Sequence, residues 1–374
     1  MGSTSGPAGC FIDGPSPRMI TIFTPSFADE TNTNAQNLTV KEVVARLDPE
    51  KFHVTMLCEG TADPRIAERP NTRILLWRKR GNTIRIMARL LQDAPDVYFF
   101  PREGPLDSAF LQARHWLRLG TALVTYVVSG GQLESGVPRP TLARNIREAQ
   151  AVVGNSKYLT QLLSEKLGIT AKTIYDGVDR RYFFPPNPSS ADAPRDPKRV
   201  LFAGSLRAYK RANFVVEQAA RWPEVQFRIA GTGEEERACR ELGNELGCNN
   251  VLFLGHLAPQ PLGEEMRRAS VFFFPSIIEG HPQVLLQAAA CGLPSVAMSS
   301  YRPEYVVDGK TGYLAKTDSE LAERLDALLR NQALRIEMGL AAAEHSRNFE
   351  WDHVTRAWSE IFEAVLVERG SQPR

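Results

Sequence analysis

Short apolar runs, rich in β-branched and aromatic residues, alternate along the chain with stretches whose apolar positions recur every three or four residues. In the first half the runs are Met19–Phe27, Phe52–Cys58, Thr72–Trp77, Asp96–Phe100, Ala122–Val128 and Ala151–Ser156. Helical patterns such as LTVKEVVARL and DSAFLQARHWLRLG fill the gaps. This alternation predicts βαβ units and a parallel, doubly wound sheet. The segment PPNPSSADAPRDPK, residues 185–198, then breaks the rhythm with Pro, Ser, Asp and Ala and reads as a linker. The pattern restarts with Arg199–Ser205, Val225–Gly231, Asn250–Gly255, Ser270–Ser276 and Leu293–Met298. A final stretch places Trp351, Val354, Trp358, Ile361, Phe362 and Val365 on one helical stripe. The expected organisation is a tail over 1–18, an α/β domain over 19–184, a linker over 185–198, a second α/β domain over 199–350 and a closing helix over 351–374.

Composition narrows the class. A chain of 374 residues suits two domains, and 43% hydrophobic with 24% charged residues is ordinary for a globular protein. A net charge of +2 gives no field that would recruit nucleic acid. No apolar run is long enough to span a membrane. Residues 1–18 are small and polar, lack an apolar signal core, and read as a disordered or appended tail. Five scattered cysteines without CxxC spacing argue against disulfides and a zinc site, and for a cytoplasmic setting.

Two open α/β domains leave a cleft, and ligands bind at the carboxyl ends of the strands. The strand-to-helix loops therefore hold the candidate chemistry. In AGSLRAYKR, residues 203–211, Gly204 allows close backbone approach while Arg207, Lys210 and Arg211 can hold phosphates; the alternative is a solvated basic turn. AGTGEEE, residues 230–236, carries Gly231 and Gly233, but with three acids and no third glycine a tight turn is the better reading. PSIIEGHPQVLLQAAACGLPSVA, residues 275–297, sets Glu279 and Gly280 ahead of a helix that Pro282 can start. The N–H groups of that helix start suit an anion, and Glu279 suits sugar hydroxyls; the alternative is a charge that stabilises the helix. At about 100° per residue, eight residues advance about two turns and 80°, so Gln287 looks broadly toward the side of Glu279. The fourth loop, residues 301–315, carries the tight turn DGKTG and Glu304, which reads as a ligand acceptor or as a first-turn charge.

Taken in order, these blocks resemble the GT-B fold glycosyltransferases, and among them the retaining glycosyltransferase family 4. The resemblance runs from about Met19 onward. Its blocks are Tyr175-Asp176-Gly177-Val178-Asp179, Gly204 with Lys210, Gly231-Thr232-Gly233, PSIIEG with CGLP, Glu304 with DGKTG, and the closing Trp351 segment. The resemblance implies two Rossmann-like domains facing a cleft, the second binding a nucleoside-diphosphate sugar. It assigns Lys210 to the diphosphate, Glu279 to the sugar hydroxyls, the backbone at Gly280, His281, Pro282, Gln283 and Val284 to the phosphate and sugar, and Gln287 to the ribose. No metal or cofactor is expected, and the acceptor is left unidentified.

The sequence also departs from that pattern. Ser205 stands where the family has a phosphate-binding Arg, leaving Arg207 or Arg211 as replacements. Gln287 replaces a second acid, though an amide can still bond a diol. The first-domain loop FADETNTNAQN is not glycine-rich, and neither VVSGG, residues 127–131, nor FFPREG, residues 99–104, carries the His that the family often places there. His281 is the candidate imidazole at the sugar, the alternative being that it only caps the EGHP turn, and His256 is the candidate at the base. WRKRGNTIRIMARLL, residues 77–91, is basic and amphipathic. It reads as a contact with an anionic membrane at the inner face or, as the βαβ rhythm favours, as a basic helix packed on its own sheet. The rival functions are a nucleotide-sugar epimerase, a pyridoxal-dependent phosphorylase and a degenerate binding protein on the same fold.

Overall fold

The computed structural model describes residues 18–30, 35–77, 82–100, 105–128, 140–187 and 195–370. The expected tail up to residue 17, linker positions 188–194, loop positions 31–34, and the basic positions 78–80 lie outside them.

Seven strands form the first sheet: β1 (Ile20–Phe27), β2 (Phe52–Cys58), β3 (Thr72–Leu76), β4 (Val97–Phe100), β5 (Ala122–Val127), β6 (Ala151–Gly154) and β7 (Lys172–Thr173). Six form the second: β8 (Arg199–Ala203), β9 (Gln226–Ala230), β10 (Val251–Gly255), β11 (Val271–Phe274), β12 (Ser295–Met298) and β13 (Gly312–Ala315). Their orders are β3-β2-β1-β4-β5-β6-β7 and β10-β9-β8-β11-β12-β13, and the strands pair parallel throughout. Central strands such as Val271-Phe272-Phe273-Phe274 are buried on both faces because helices cover each side. That is why they read as unbroken apolar runs. Two doubly wound parallel sheets in one chain are the GT-B architecture.

The helices of the first domain are α1 (Ala35–Arg46), α2 (Pro64–Ala67), α3 (Asn82–Asp93), α4 (Pro105–Trp116), α5 (Pro140–Glu148) and α6 (Lys157–Leu167). Those that follow are α7 (Ala212–Arg221), α8 (Glu236–Glu245), α9 (Pro259–Arg268), α10 (Gln283–Ala290), α11 (Asp318–Arg330), α12 (Gln332–His345) and α13 (Trp351–Gly370). Helix α3 carries the basic amphipathic stretch. It buries Ile86 and Leu90 against Tyr98, Phe100 and Phe110, while Arg89 pairs with Asp93 at 2.9 Å. Its apolar stripe faces its own sheet, and of its large aliphatic side chains Ile84 is the one largely exposed. No helix among the described residues is long and apolar enough to cross a membrane.

The chain returns to its first domain at the end. Val178 N donates to the Phe349 carbonyl at 2.9 Å, and α13 then lays its stripe into the first core. Trp358 is fully buried and meets Phe99 and Tyr126 at ring-centroid distances of 4.8 and 5.2 Å. Gly177 leaves room for this helix, since a Cβ there would meet Trp351 at 2.4 Å. The two domains are also joined through Asp176, a fully buried carboxylate that accepts from Thr39 Oγ1 and Tyr126 OH, each at 2.6 Å. Its carbonyl accepts from Tyr305 OH of the second domain at 3.3 Å. Burial pushes the Asp176 carboxyl up, against the pull of these donors.

Because Trp358 fills the first core from the far end of the chain, Trp358→Ala should lose about 3–5 kcal/mol of unfolding free energy in urea denaturation. A loss below about 1 kcal/mol would show that α13 merely rests on the first domain.

Candidate active site

In the second sheet, β8 and β11 are neighbours while their connections leave in opposite directions, so the crevice opens beyond their carboxyl ends. The loop after β8 carries Lys210 and the loop after β11 carries Glu279. Backbone ties hold the two loops together: Ile277 N donates to the Tyr209 carbonyl at 3.1 Å, and Ser276 Oγ reaches the same carbonyl at 3.3 Å. Lys210 Nζ donates to Glu279 Oε1 at 2.5 Å. The ammonium also lies 5.3 Å from the Phe274 ring centroid and 5.4 Å from that of Tyr209. The two charged side chains are only 13% and 9% exposed, so neither charge has much water to fall back on. A pair in this setting gives little net stability, while loss of one partner leaves an uncompensated charge.

Behind Glu279 the chain turns at Gly280 and starts α10. Pro282 is the N-cap, and its side chain cannot accept from the first-turn N–H groups. That helix start therefore keeps its unpaired donors and positive dipole end for an anion. Leu285, Leu286 and Ala289 pack inward. Around the same turn, Gln287 Oε1 and both ring nitrogens of His281 are buried without a hydrogen-bond partner, while the Gln283 side chain bonds the Asp176 carboxylate. Buried polar atoms are usually paired, so this concentration marks the turn as a place for a polar ligand.

His281 itself is packed rather than presented. Its ring lies 3.8 Å from that of Tyr305 and 5.7 Å from that of Tyr175, and only 7% of the residue is exposed. Burial pushes its pKa down to about 3, so it is neutral at pH 7. The candidate imidazole at the sugar instead stacks with aromatic rings at the domain boundary.

Arg211, Glu304 and His256 depart from their expected places, while Gly231 and Gly233 form the tight turn that the sequence predicts. Arg211 sits at φ 58° and grips Asp318 at the start of α11 with two bonds of 2.8 and 2.6 Å, so it does not stand in for the missing Arg. Arg207 and Ser205 are exposed, leaving Arg207 as the cation near this loop that can still turn toward an anion. Glu304 reaches across to the first domain: its carboxylate accepts from Lys157 N at the start of α6 and from Tyr175 OH, each at 2.6 Å. It clamps the domains rather than facing the donor loops. Gly231 and Gly233 serve backbone packing. A Cβ at Gly231, where φ is +136°, would lie 1.9 Å from the Gly204 carbonyl oxygen, and one at Gly233 2.3 Å from that of Leu206. Gly204 thus touches Gly231 through backbone, and a Cβ on it would lie in ordinary contact with Phe202, Phe274 and Lys210 at 3.6–3.9 Å. His256 is exposed at the end of β10, on the sheet edge and two strands from β8. Sequence reasoning missed Tyr175 as the partner of Glu304 and Tyr301 as a buried hydroxyl without a partner beside this site.

A larger cavity of about 680 Å³ lies elsewhere, between the linker and α12, where Ile336 and Leu340 are exposed. Of these loops it touches only Gly292 and Pro294, at the far end of residues 275–297, and the crevice is the better candidate because the charged and orphaned groups converge there.

Comparison with known proteins bears on the second domain first. Residues 197–331 match the family model described as glycosyl transferases group 1. The D-inositol 3-phosphate glycosyltransferase of Mycolicibacterium paratuberculosis is 31% identical over 278 residues, covering 68% of this chain and 63% of that protein. The phosphatidyl-myo-inositol mannosyltransferase of Mycobacterium leprae is 32% identical over 213 residues, covering 54% of this chain and 56% of that protein. The matches therefore span less than two thirds of these relatives' length. Among solved structures, sucrose-phosphate synthase from Thermosynechococcus elongatus superposes with a TM-score of 0.77 at 17% identity, over 94% of this chain and all of that one. Anabaena HepE in complex with UDP and glucose gives 0.73 at 18% identity, over 93% of this chain and all of that one. At such identities the structural likeness is one of fold.

The buried neutral His281 has a pH consequence. Its pKa is lower in the folded chain than in the unfolded one, so its cost is absent above pH 6.5 and grows as pH falls toward 3. Between pH 7 and pH 5 the chain should lose about 2 kcal/mol more stability than His281→Phe, compared by urea denaturation at the two values. Equal losses would mean that the imidazole is charged or solvated in the fold.

Proposed function

With a GT-B fold whose second domain matches the group 1 glycosyl transferases over residues 197–331 as the premise, we propose that the chain transfers a hexosyl or N-acetylhexosaminyl unit from a nucleoside-diphosphate sugar to an acceptor hydroxyl, with retention at the anomeric carbon. The observation that carries this reading is the Lys210–Glu279 pair at the mouth of a helix start with free donors. Lys210 and the first turn of α10 hold the diphosphate. Glu279 and the turn at Gly280 hold the sugar hydroxyls, and the orphaned Gln287 oxygen and its amide face the ribose diol.

In the reaction the bond from the anomeric carbon to the diphosphate oxygen breaks and a bond to the acceptor oxygen forms. The acceptor's proton leaves with the diphosphate. Negative charge grows on that leaving group, where an ammonium and oriented N–H groups stabilise it in a partly dry site. No side chain has to change its protonation for this step, which accords with a neutral, buried His281. UDP in complexes of proteins with the same fold supports a nucleotide donor. The described cysteines are free, which supports a reducing compartment.

Thermal-shift screening of nucleoside-diphosphate sugars should give one donor that raises the melting temperature. Lys210→Ala should weaken that donor by about tenfold to a hundredfold in calorimetry, the effect of removing a charge-assisted bond. Unchanged affinity in Lys210→Ala, or a product of inverted anomeric configuration by NMR, would overturn the assignment.

A further inference from the structure

The cavity of about 680 Å³ between the linker and α12 shares no charged group with the crevice. Both crossings between the domains border it: Arg180, Pro185 and Pro197 on the way into the second domain, and Glu350 on the way back. Small residues keep it hollow. Gly339 of α12 and Gly292 after α10 meet through backbone, since a Cβ on Gly339 would lie 2.4 Å from the Gly292 carbonyl oxygen. One turn apart on the same helix, Ile336 and Leu340 line the cavity and are 56% and 70% exposed. The outward positions of a surface helix are ordinarily polar, so these two give the cavity an apolar wall that no core requires.

The charges around that wall do not balance. The lining carries Arg180, Arg195, Arg335 and Arg347 against Glu344 and Glu350. Arg180 pairs with Glu350 at 3.3 Å and Arg347 with Glu344 at 3.2 Å. Arg195 and Arg335 have no carboxylate among the described residues. Arg195 donates through Nη1 to the Met266 and Ala269 carbonyls at 3.1 and 2.8 Å, and through Nη2 to that of Cys291. Arg335, itself buried, donates to the Leu328 and Leu329 carbonyls at the end of α11. Helix ends offer each guanidinium only partial negative charge, roughly half a unit. Burial accordingly pulls the Arg195 pKa down to about 10 and lowers that of Arg335, which leaves both charged at pH 7. The Nε–H of Arg195 and one of its Nη2–H groups are not used by these bonds.

We propose that this cavity is a second binding site and that its ligand is a small organic anion, with an apolar body on Ile336 and Leu340 and one compact anionic group at Arg195 and Arg335. The anion supplies the missing counter-charge, and the guanidinium fork suits the oxygens of a phosphate, sulfonate or carboxylate. A cavity of this size takes up a drug-sized molecule almost whole, which fits a free small molecule rather than the headgroup of a bilayer lipid. The site uses neither Lys210 nor Glu279, so it stands independently of the donor reading. Its ligand bridges the two segments through which the domains are connected.

The test titrates anilinonaphthalene sulfonate into the full chain and reads its fluorescence, with phenylnaphthylamine as the same body without the charge and sulfate as the charge alone. The sulfonate dye should saturate a single site and bind at least about tenfold more tightly than either control. Leu340→Asp, at an exposed position, should weaken it about tenfold or more, and so should Arg195→Gln where its melting temperature matches that of the unsubstituted chain. Ile84→Asp, on the exposed apolar side chain of the first domain, should leave it unchanged, and uridine or guanosine diphosphate should not displace it. Absence of saturable binding, indifference to Leu340→Asp, loss in Ile84→Asp, or displacement by either nucleotide would overturn the site. Equal affinity for the charged and uncharged dyes, or indifference to a folded Arg195→Gln, would overturn the anionic class.

Discussion

A lysine and a glutamate held together between two strand ends organise the cleft of this protein. Lys210 follows the first strand of the second domain and Glu279 follows the fourth, and the sheet order makes those strands neighbours. The ammonium sits over aromatic faces and the carboxylate sits ahead of a helix whose cap is a proline. In the proposed reading the cation stands near the phosphates of the donor and the acid near its sugar hydroxyls. In the absence of a ligand each neutralises the other, which keeps two nearly dry charges tolerable.

The surroundings support that pair at the level of backbone. Gly231 and Gly233 let one loop lie directly on the carbonyls of the next, and the loop after β11 hangs from the Tyr209 carbonyl. Arg211 is turned away by its left-handed backbone and held by Asp318. Across the cleft, Glu304, Tyr175 and Asp176 fix how the two domains meet, and α13 returns the chain to the first core. Such an arrangement leaves the site little freedom except at the charged pair and the exposed side chains around it.

The architecture was legible because central parallel strands are apolar on both faces, and because the Trp351–Val365 stripe has a helical period in an otherwise charged segment. Helix α3 was legible too: its apolar and basic positions separate cleanly, and the apolar ones pack on the sheet. The contacts that redirect individual side chains were not. Arg211 meets Asp318 at a separation of 107 residues, and Glu304 meets Lys157 at 147, distances over which a local pattern carries no information. His281 was read as an imidazole at the sugar, or a cap of the turn, because it sits in the EGHP turn. In the fold, the same turn swings it under Tyr305 and Tyr175. The glycines of AGTG were legible as a turn, and their need is steric: no side chain fits where two carbonyl oxygens already lie.

The account depends on Lys210 and Glu279 dividing the donor between them, and the cleanest measurement is a pair of titrations on Glu279→Gln. One uses the nucleoside diphosphate and the other the matching nucleoside-diphosphate sugar. Removing the acid frees Lys210, so the diphosphate should bind at least as tightly as to the unsubstituted chain, while the extra affinity contributed by the sugar falls by about tenfold. A parallel fall in both affinities, or no change in either, would contradict the division of roles.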